Sequence, residues 1–112
     1  MANESAPIVE TIEWIPGEEK FCAVRSGSWW SYIGWVSYQP GIRSWVLRDS
    51  INAYRHPIKN DTGGILGIAE LGITAGVEWR MSPGVIVMPE SSVAFIVPCT
   101  DVAYQSIRKA MK

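Results

Sequence analysis

The chain has few of the residues that mark metal proteins and nucleic-acid binders. Its 112 residues include two cysteines and one histidine, with ten basic side chains against eleven acidic ones. A structural zinc site takes about four Cys or His ligands, so the sequence predicts no metal site. A net charge of −1 offers no basic surface for a phosphate backbone, which argues against double-stranded nucleic acid as the main partner.

Long apolar runs are also missing. No run approaches the roughly 18 residues of a membrane-spanning helix, so we expect no membrane partner. The start, MANESAPIVETIEW, lacks the basic segment followed by an apolar segment that defines a signal peptide. We therefore expect a cytoplasmic protein in which Cys22 and Cys99 are buried, reduced thiols. A disulfide between them stays open if the strands that carry them pair.

What the sequence does contain is apolar residues in short runs. Apolar residues make up 47% of the chain and charged residues 19%, which is typical of a folded globular domain. The length is that of one domain, which we expect to span residues 1–112 with a core over about 8–111.

Pro-Gly pairs separate these runs at Pro16-Gly17, Pro40-Gly41 and Pro83-Gly84. In a type II turn, Pro fixes φ at the first central position and Gly takes the positive φ at the next. The flanking segments alternate apolar and polar residues, which is typical of antiparallel strands. We predict strands around residues 8–14, 20–25, 29–38, 43–47, 77–81, 85–88 and 93–97.

The remaining segments are predicted from helix signals. Residues 65–75 form either a short helix or another strand, because their glycines weaken both assignments. After Pro98, Thr100 is a good N-cap, and apolar residues follow it at helical spacing. The predicted fold class is β-rich α+β: a small antiparallel meander or SH3-like barrel with a C-terminal helix.

Aromatic residues are concentrated in GSWWSYIGWVSYQPG, residues 27–41, which holds three of the six tryptophans. Alternation along a strand gives two apolar faces, one with Trp29, Ile33 and Trp35, the other with Trp30, Tyr32, Val36 and Tyr38. A small antiparallel sheet normally exposes one face, so the second must be covered. The cover is a helix or second layer of the same subunit, another copy of the chain, or a flat ligand. Gly34 allows either a close backbone approach or a slot for a ring.

Arginines and polar residues follow this strand within fourteen positions, 43–56. Guanidinium groups pair with phosphates and stack on rings, so this set is suited to holding a nucleobase and its phosphate. Alternatively, the charges only prevent association at an exposed sheet edge. The predicted ligand-binding residues are Trp29, Trp30, Trp35, Arg43, Arg48, Asp49, Tyr54 and Arg55.

Catalysis is the weaker hypothesis. His56 is the only histidine, and its closeness in sequence to Asp49 does not establish a catalytic geometry. No P-loop, GxGxxG, HExxH or GxSxG motif occurs. We predict no catalytic residue, no cofactor and no metal, and the alternative is an enzyme acting on a nucleotide signal with His56 and Asp49 as acid and base.

Five pieces of sequence occur in a recognisable order. They are Ala23-Val24-Arg25-Ser26-Gly27, Trp30 to Gly34, Val46-Leu47-Arg48-Asp49-Ser50, Ile68-Ala69-Glu70-Leu71-Gly72 and Phe95-Ile96-Val97-Pro98-Cys99. This order resembles a family of small uncharacterised proteins from bacteriophages and prophages, over residues 21–107. The chain departs from it at Ile51 and Asn52, where the family has paired arginines, and at Tyr54, where it has Trp. If those arginines bind a ligand in the family, this chain either uses Arg48 and Arg55 instead or binds something else.

The resemblance implies a function by analogy of context. Small, non-catalytic, oligomeric phage proteins include sponges that sequester the nucleotide signals of bacterial immunity. We therefore expect a homo-oligomer in the host cytoplasm, with the aromatic strand or the C-terminal helix at its interface, that captures a cyclic-nucleotide or ADP-ribose-type ligand. The alternative is a virion accessory component, or an inhibitor that binds a host protein through the aromatic face.

Overall fold

The computed structural model describes residues 17–27, 30–55, 64–82 and 84–112. These residues form one sheet of six antiparallel strands with two α-helices. The elements are β1 Lys20–Ser26, β2 Ser31–Gln39, β3 Ser44–Arg55, α1 Gly64–Leu71, β4 Glu78–Met81, β5 Ile86–Pro89, β6 Val93–Pro98 and α2 Asp101–Ala110. The predicted β-rich α+β meander with a C-terminal helix is confirmed. The strand predicted over 8–14 lies outside the described residues.

The long strand β3 organises the sheet, whose strand order is β4-β3-β2-β1-β6. β3 has 12 residues, enough to pair with two short strands on the same side. Its first half pairs with β5, with Val46 opposite Val87, and its second half pairs with β4, with Asn52 opposite Arg80. Between the halves β3 holds an extra residue relative to β2, and Asp49 there takes a positive φ of 49°.

The connection from β2 to β3 differs from the predicted type II turn. Residues Pro40–Ile42 form a 3₁₀ turn, and the positive φ of 51° falls on Arg43 rather than on Gly41. The Arg43 amide donates to the first carbonyl of this turn at 3.2 Å, which closes the loop one residue later than predicted. The positive φ predicted at Gly17 and Gly84 is present, at 87° and 59°.

One face of the sheet is covered by both helices, and we call it the helix-covered face. Trp35 packs edge-on against Phe21 and Tyr104 there, with ring centroids 5.3 and 5.8 Å away. The buried residues of this core come from strands and helices alike: Phe21, Ala23, Ile33, Ile51, Ala53, Ile65, Ile68, Ala69, Ala103 and Ile107.

The opposite face holds a second core, to which no helix in the described chain contributes. Its buried members are Cys22, Val24, Val36, Leu47 and Met88. They come from β1, β2, β3 and β5, and residues of β6 pack against them, so every described member of this cluster lies on or beside a strand. We call this side the concave face. The two apolar faces predicted for the aromatic strand are confirmed, and both are largely covered within the subunit.

The two helices join where α1 ends and α2 begins. Thr100 caps α2 as predicted, because its Oγ1 accepts from the Ala103 amide at 3.1 Å. The same hydroxyl donates to the Glu70 carbonyl at 2.6 Å, which ties the caps together. Gly72, with a φ of 84°, ends α1 where a Cβ would lie 2.4 Å from the Ser106 Cβ. The segment that the sequence left open is therefore a helix over Gly64–Leu71.

Both cysteines are free, on opposite faces of the sheet. Cys22 belongs to the concave core and Cys99 packs against the helix-covered core. Burial raises the pKa of each thiol to about 12, and the neighbouring Cys99 adds to the shift of Cys22.

Candidate functional site

A cleft of about 570 Å³ lies on the concave face, where β2, β3 and β4 run side by side. The strand register places Tyr32 opposite Asn52, and Asn52 opposite Arg80. Directly opposed residues of antiparallel strands point to the same face, so these side chains form a row across the cleft. The remaining lining residues are Trp30, Met81, Ser82 and Ile86.

Trp30 forms an aromatic wall of the cleft, and its side chain is 45% exposed. Its main chain is held by two hydrogen bonds across the β1–β2 turn. The Trp30 amide donates to Ser26 Oγ at 3.2 Å, and the Trp30 carbonyl accepts from the Ser26 amide at 2.9 Å. The ring is therefore carried on a fixed backbone, which reduces the entropy that stacking a ligand on it would cost.

Asn52 provides a buried hydrogen-bond acceptor in the lining, since the residue is only 4% exposed. Its Nδ2 donates to the Ser31 carbonyl at 3.0 Å. Its Oδ1 and the hydroxyl of Ser82 are both buried without a hydrogen-bond partner in the described chain. A buried polar group without a partner costs about 1–3 kcal/mol, so the lining has hydrogen-bonding capacity that a ligand or water would satisfy.

Arg80 is the only charged residue among the described residues that line the cleft. Its guanidinium carbon lies 5.6 Å from the centroid of the Tyr54 ring, which is a cation–π contact. None of the ion pairs between described residues involves Arg80. The residue is exposed.

Arg48 differs, because two carboxylates occupy its guanidinium group. Nε and Nη2 donate to Glu19 and Nη1 donates to Asp49, each at 2.6 Å. The guanidinium carbon also lies 5.8 Å from the Trp35 ring centroid. The hydrogen bonds to Glu19 raise the pKa of Arg48. We call Glu19, Trp35, Arg48 and Asp49 the bulge cluster, and its cation is already paired.

The other two predicted arginines lie near the two ends of β3. Arg43 lies in the β2–β3 turn, 4.0 Å from the carboxylate of Glu90, which also accepts from the Tyr38 hydroxyl. That hydrogen bond raises the pKa of Tyr38. Arg55 ends β3, 3.7 Å from the Glu78 carboxylate. Exposed pairs of this kind usually contribute little to stability.

The structure thus distributes the predicted ligand-binding residues over several places. Trp30 lines the cleft, and Tyr54 supports Arg80 at its edge. Trp35, Arg48 and Asp49 form the bulge cluster, while Arg43 and Arg55 are separate from both. The predicted residue Trp29, and His56 of the catalytic alternative, lie outside the described residues.

Six residues of the cleft lining were not among the predicted ligand-binding residues, and four of them are polar: Tyr32, Asn52, Arg80 and Ser82. The signal that was present is Asn52, since asparagine is depleted in strands and here lies between apolar neighbours in SINAY. A polar residue at an apolar strand position is expected to be hydrogen-bonded or functional. Arg80 carries no such signal, because its placement depends on which strand β4 joins.

Gly34 explains how β2 and β3 approach each other beside the cleft. A Cβ at this position would lie 2.6 Å from the Cβ and 2.7 Å from the Cα of Ser50. Of the two alternatives drawn from the sequence, the structure shows the close backbone approach. Ser50 is fully buried, so the contact leaves no room for a larger residue.

Within the described residues, no group of three or more His, Cys, Asp and Glu side chains is arranged to hold a metal ion. The described helices include none with the length and apolar character needed to cross a membrane. Comparison of the chain with protein-family models, with curated proteins and with solved structures finds no match.

Proposed function

We propose that this chain is a non-catalytic binding protein whose cleft holds a small nucleotide-like ligand. The observation that carries the proposal is that Trp30 and Arg80 line one cleft together with the buried Asn52. An aromatic ring stacks on a base for about 1–3 kcal/mol, and guanidinium pairs with phosphate through two parallel hydrogen bonds.

The size and lining of the cleft support the same class of ligand. A volume of about 570 Å³ falls within the range of small-molecule sites in proteins. The lining provides aromatic surface, an amide, a hydroxyl and one cation. Capture without turnover requires stacking, orienting hydrogen bonds and charge neutralisation, and each of these groups supplies one of them.

In the cell, the role that we propose for this binding is sequestration of a nucleotide signal. A homo-oligomeric phage protein in the bacterial cytoplasm that withholds a cyclic-nucleotide or ADP-ribose-type signal would evade host immunity by binding alone. The support for this part is the motif order described above, together with a cleft suited to such ligands.

Binding of a protein partner is the second candidate function. Val85 and Val87 on and beside β5 are 61% and 53% exposed, and Val87 lies opposite the half-buried Val46. These side chains point away from the concave core and give an apolar strip, which is typical of an interaction surface. A host protein or a virion component would be the partner.

The direct test of the proposed ligand is a thermal-shift titration with cyclic di- and trinucleotides, AMP and ADP-ribose. Ligand that binds only the folded state raises the unfolding temperature in proportion to the logarithm of its concentration. We expect such a rise for at least one compound of the panel. No rise with any compound would overturn the proposal, and capture of a host protein by the same preparation would then favour the second candidate.

A pair of charge-matched variants locates the site. Arg80→Ala removes the cation of the cleft, for which the described part of the chain provides no carboxylate partner, and we expect affinity to fall roughly tenfold or more, as for loss of a charge-assisted hydrogen bond. Arg55→Ala removes another exposed arginine, one that is paired with Glu78, and we expect this variant to bind as the wild type does. The opposite pattern would move the site to the arginines predicted from the sequence.

A further inference from the structure

We propose that the cleft holds a nucleotide through a single phosphate, and that Glu78 prevents a pyrophosphate from gaining affinity through its second phosphate. This specificity rests on the proposed function and decides between the two kinds of ligand named there. It favours cyclic nucleotides, in which no two phosphates are joined, over ADP-ribose, in which two are joined directly.

The two charged residues of β4 lie on the same face of the sheet. Side chains alternate along a strand, so Glu78 and Arg80 share the concave face, while Trp79 between them packs against the helix-covered core. Arg80 lines the cleft, and Glu78 is not among the described lining residues. Residues two apart on a strand are separated by about 7 Å. Glu78 therefore lies just outside the cleft, next to its cation.

Glu78 is paired with an arginine of the neighbouring strand. Arg55 lies opposite Glu78 in the β3–β4 ladder, and its Nε is 3.7 Å from the Glu78 carboxylate. The two side chains are 74% and 51% exposed, so a ligand that extends beyond Arg80 can reach them. A second phosphate would meet there a cation whose charge is already balanced, beside a carboxylate that repels it.

The Arg80 guanidinium group is suited to one phosphate. It lies over the ring of Tyr54, which falls where the β3–β4 register shifts by one residue. A planar guanidinium group can donate two parallel hydrogen bonds to one phosphate. A second phosphate needs a second cation, and the described lining provides no cation besides Arg80.

The experiment compares adenine ligands that differ in their phosphates. Isothermal titration calorimetry at low ionic strength is run on the wild type with adenosine, AMP, ADP and ADP-ribose. We expect AMP to bind roughly tenfold or more tightly than adenosine, as for gain of a charge-assisted hydrogen bond. ADP and ADP-ribose should bind no more tightly than AMP. A site that attracts phosphates through a general positive charge would instead bind ADP more tightly than AMP.

A charge-matched pair of variants tests the role of Glu78. Glu78→Gln leaves Arg55 without this carboxylate, and we expect the affinity for ADP relative to AMP to rise roughly two- to fivefold, as for an exposed ion pair. Glu18→Gln removes the same charge from an exposed pair with Lys20, ahead of β1 and outside the described lining. We expect this control to leave the relative affinity unchanged.

The ratio of affinities within one preparation is the readout, because it does not depend on the fraction of a variant that is folded. Tighter binding of ADP or ADP-ribose than of AMP by the wild type, or equal binding of adenosine and AMP, overturns the single-phosphate specificity and leaves a nucleotide-binding cleft standing. An unchanged ratio in Glu78→Gln, or the same rise in Glu18→Gln, overturns it too. If none of the four ligands binds, the specificity is again overturned, and the proposed function falls only if the wider nucleotide panel gives no thermal shift.

Discussion

Two regions along β3 place a guanidinium group over an aromatic ring at nearly the same distance. In the bulge cluster, Arg48 lies 5.8 Å from the Trp35 ring, and beside the cleft Arg80 lies 5.6 Å from the Tyr54 ring. They differ in their carboxylates, because Glu19 and Asp49 occupy Arg48 while no described ion pair includes Arg80. Among the described residues, the same pair of residue types is therefore neutralised by carboxylates in one region and not in the other.

The largest effect is expected from Gly34→Ala, which disturbs both regions at once. The new Cβ would overlap Ser50, whose neighbours in β3 are the bulge on one side and the cleft residue Asn52 on the other. Overpacking of this kind costs about 1–3 kcal/mol, and we expect the free energy of unfolding to fall by about that much. Urea denaturation measures it.

Gly41→Ala is the matched control for that substitution. A Cβ at Gly41 meets nothing within 4 Å, and its φ is not positive. We expect a change within about 0.5 kcal/mol, as for most surface substitutions. If Gly34→Ala lowered the free energy of unfolding as little as Gly41→Ala does, the close approach of β2 and β3 would not be what connects the bulge cluster to the cleft.

The next largest effects distinguish the cleft from the bulge cluster, because a substitution in the cleft should change ligand affinity and one in the bulge cluster should change the unfolding temperature. Arg80→Ala should reduce AMP affinity roughly tenfold or more and leave the unfolding temperature unchanged, because Arg80 has no carboxylate partner among the described residues. Arg48→Ala should lower the unfolding temperature by less than Gly34→Ala does and leave affinity unchanged. Calorimetric titration and thermal unfolding of both variants measure this. A loss of affinity in Arg48→Ala would show that the bulge cluster belongs to the site.

The two cysteines extend the comparison to the two faces of the sheet. Burial raises the pKa of Cys22 and of Cys99 from 9.0 to about 12. The unfolded chain therefore binds fewer protons than the folded one above pH 9, and the free energy of unfolding falls as pH rises from there. By pH 10 the loss should be about 1 kcal/mol for each cysteine.

The check is urea denaturation between pH 8 and pH 10 of the wild type and of single Ala variants at the two positions. Each variant should show a shallower fall than the wild type, and similar reductions would mean that a thiol is shielded as well on the concave face as on the helix-covered face. An unchanged slope for either variant would contradict burial of that thiol.

The smallest effect is expected from a double variant of the bulge cluster that leaves Arg48 without carboxylate partners, as Arg80 is among the described residues. Glu19→Gln combined with Asp49→Asn removes both carboxylates from Arg48, and Asn is suited to the positive φ at position 49. We expect the freed guanidinium group to create a weak additional phosphate site, detectable by titration with inorganic phosphate in an Arg80→Ala background. Without such a site, carboxylate pairing would not be the property that distinguishes the regions.

Local signals in the sequence were sufficient for most of the fold. Alternation predicted most of the strands and their two apolar faces, and Thr100 predicted the start of α2, because these depend on neighbours a few residues apart. The strand predicted over 43–47 was too short, since β3 continues to Arg55. The bulge cluster and the cleft depend on longer separations. Glu19 reaches Arg48 across 29 positions, and Arg80 meets Asn52 only because β3 pairs with β4 over its second half. Residue types near β3 predicted arginine and aromatic pairs, but not which of those cations were already neutralised.

β3 changes neighbours part-way along its length, from β5 to β4, and this has a consequence for how the cleft can evolve. Its lining includes the last residue of β4, Met81, the adjoining Ser82, and the first residue of β5, Ile86. The hollow lies where the sheet passes from one short strand to the other. Insertions or deletions in the segment that links β4 to β5 would change the size of the cleft and so the ligand it accepts. The residues of both hydrophobic cores would stay the same.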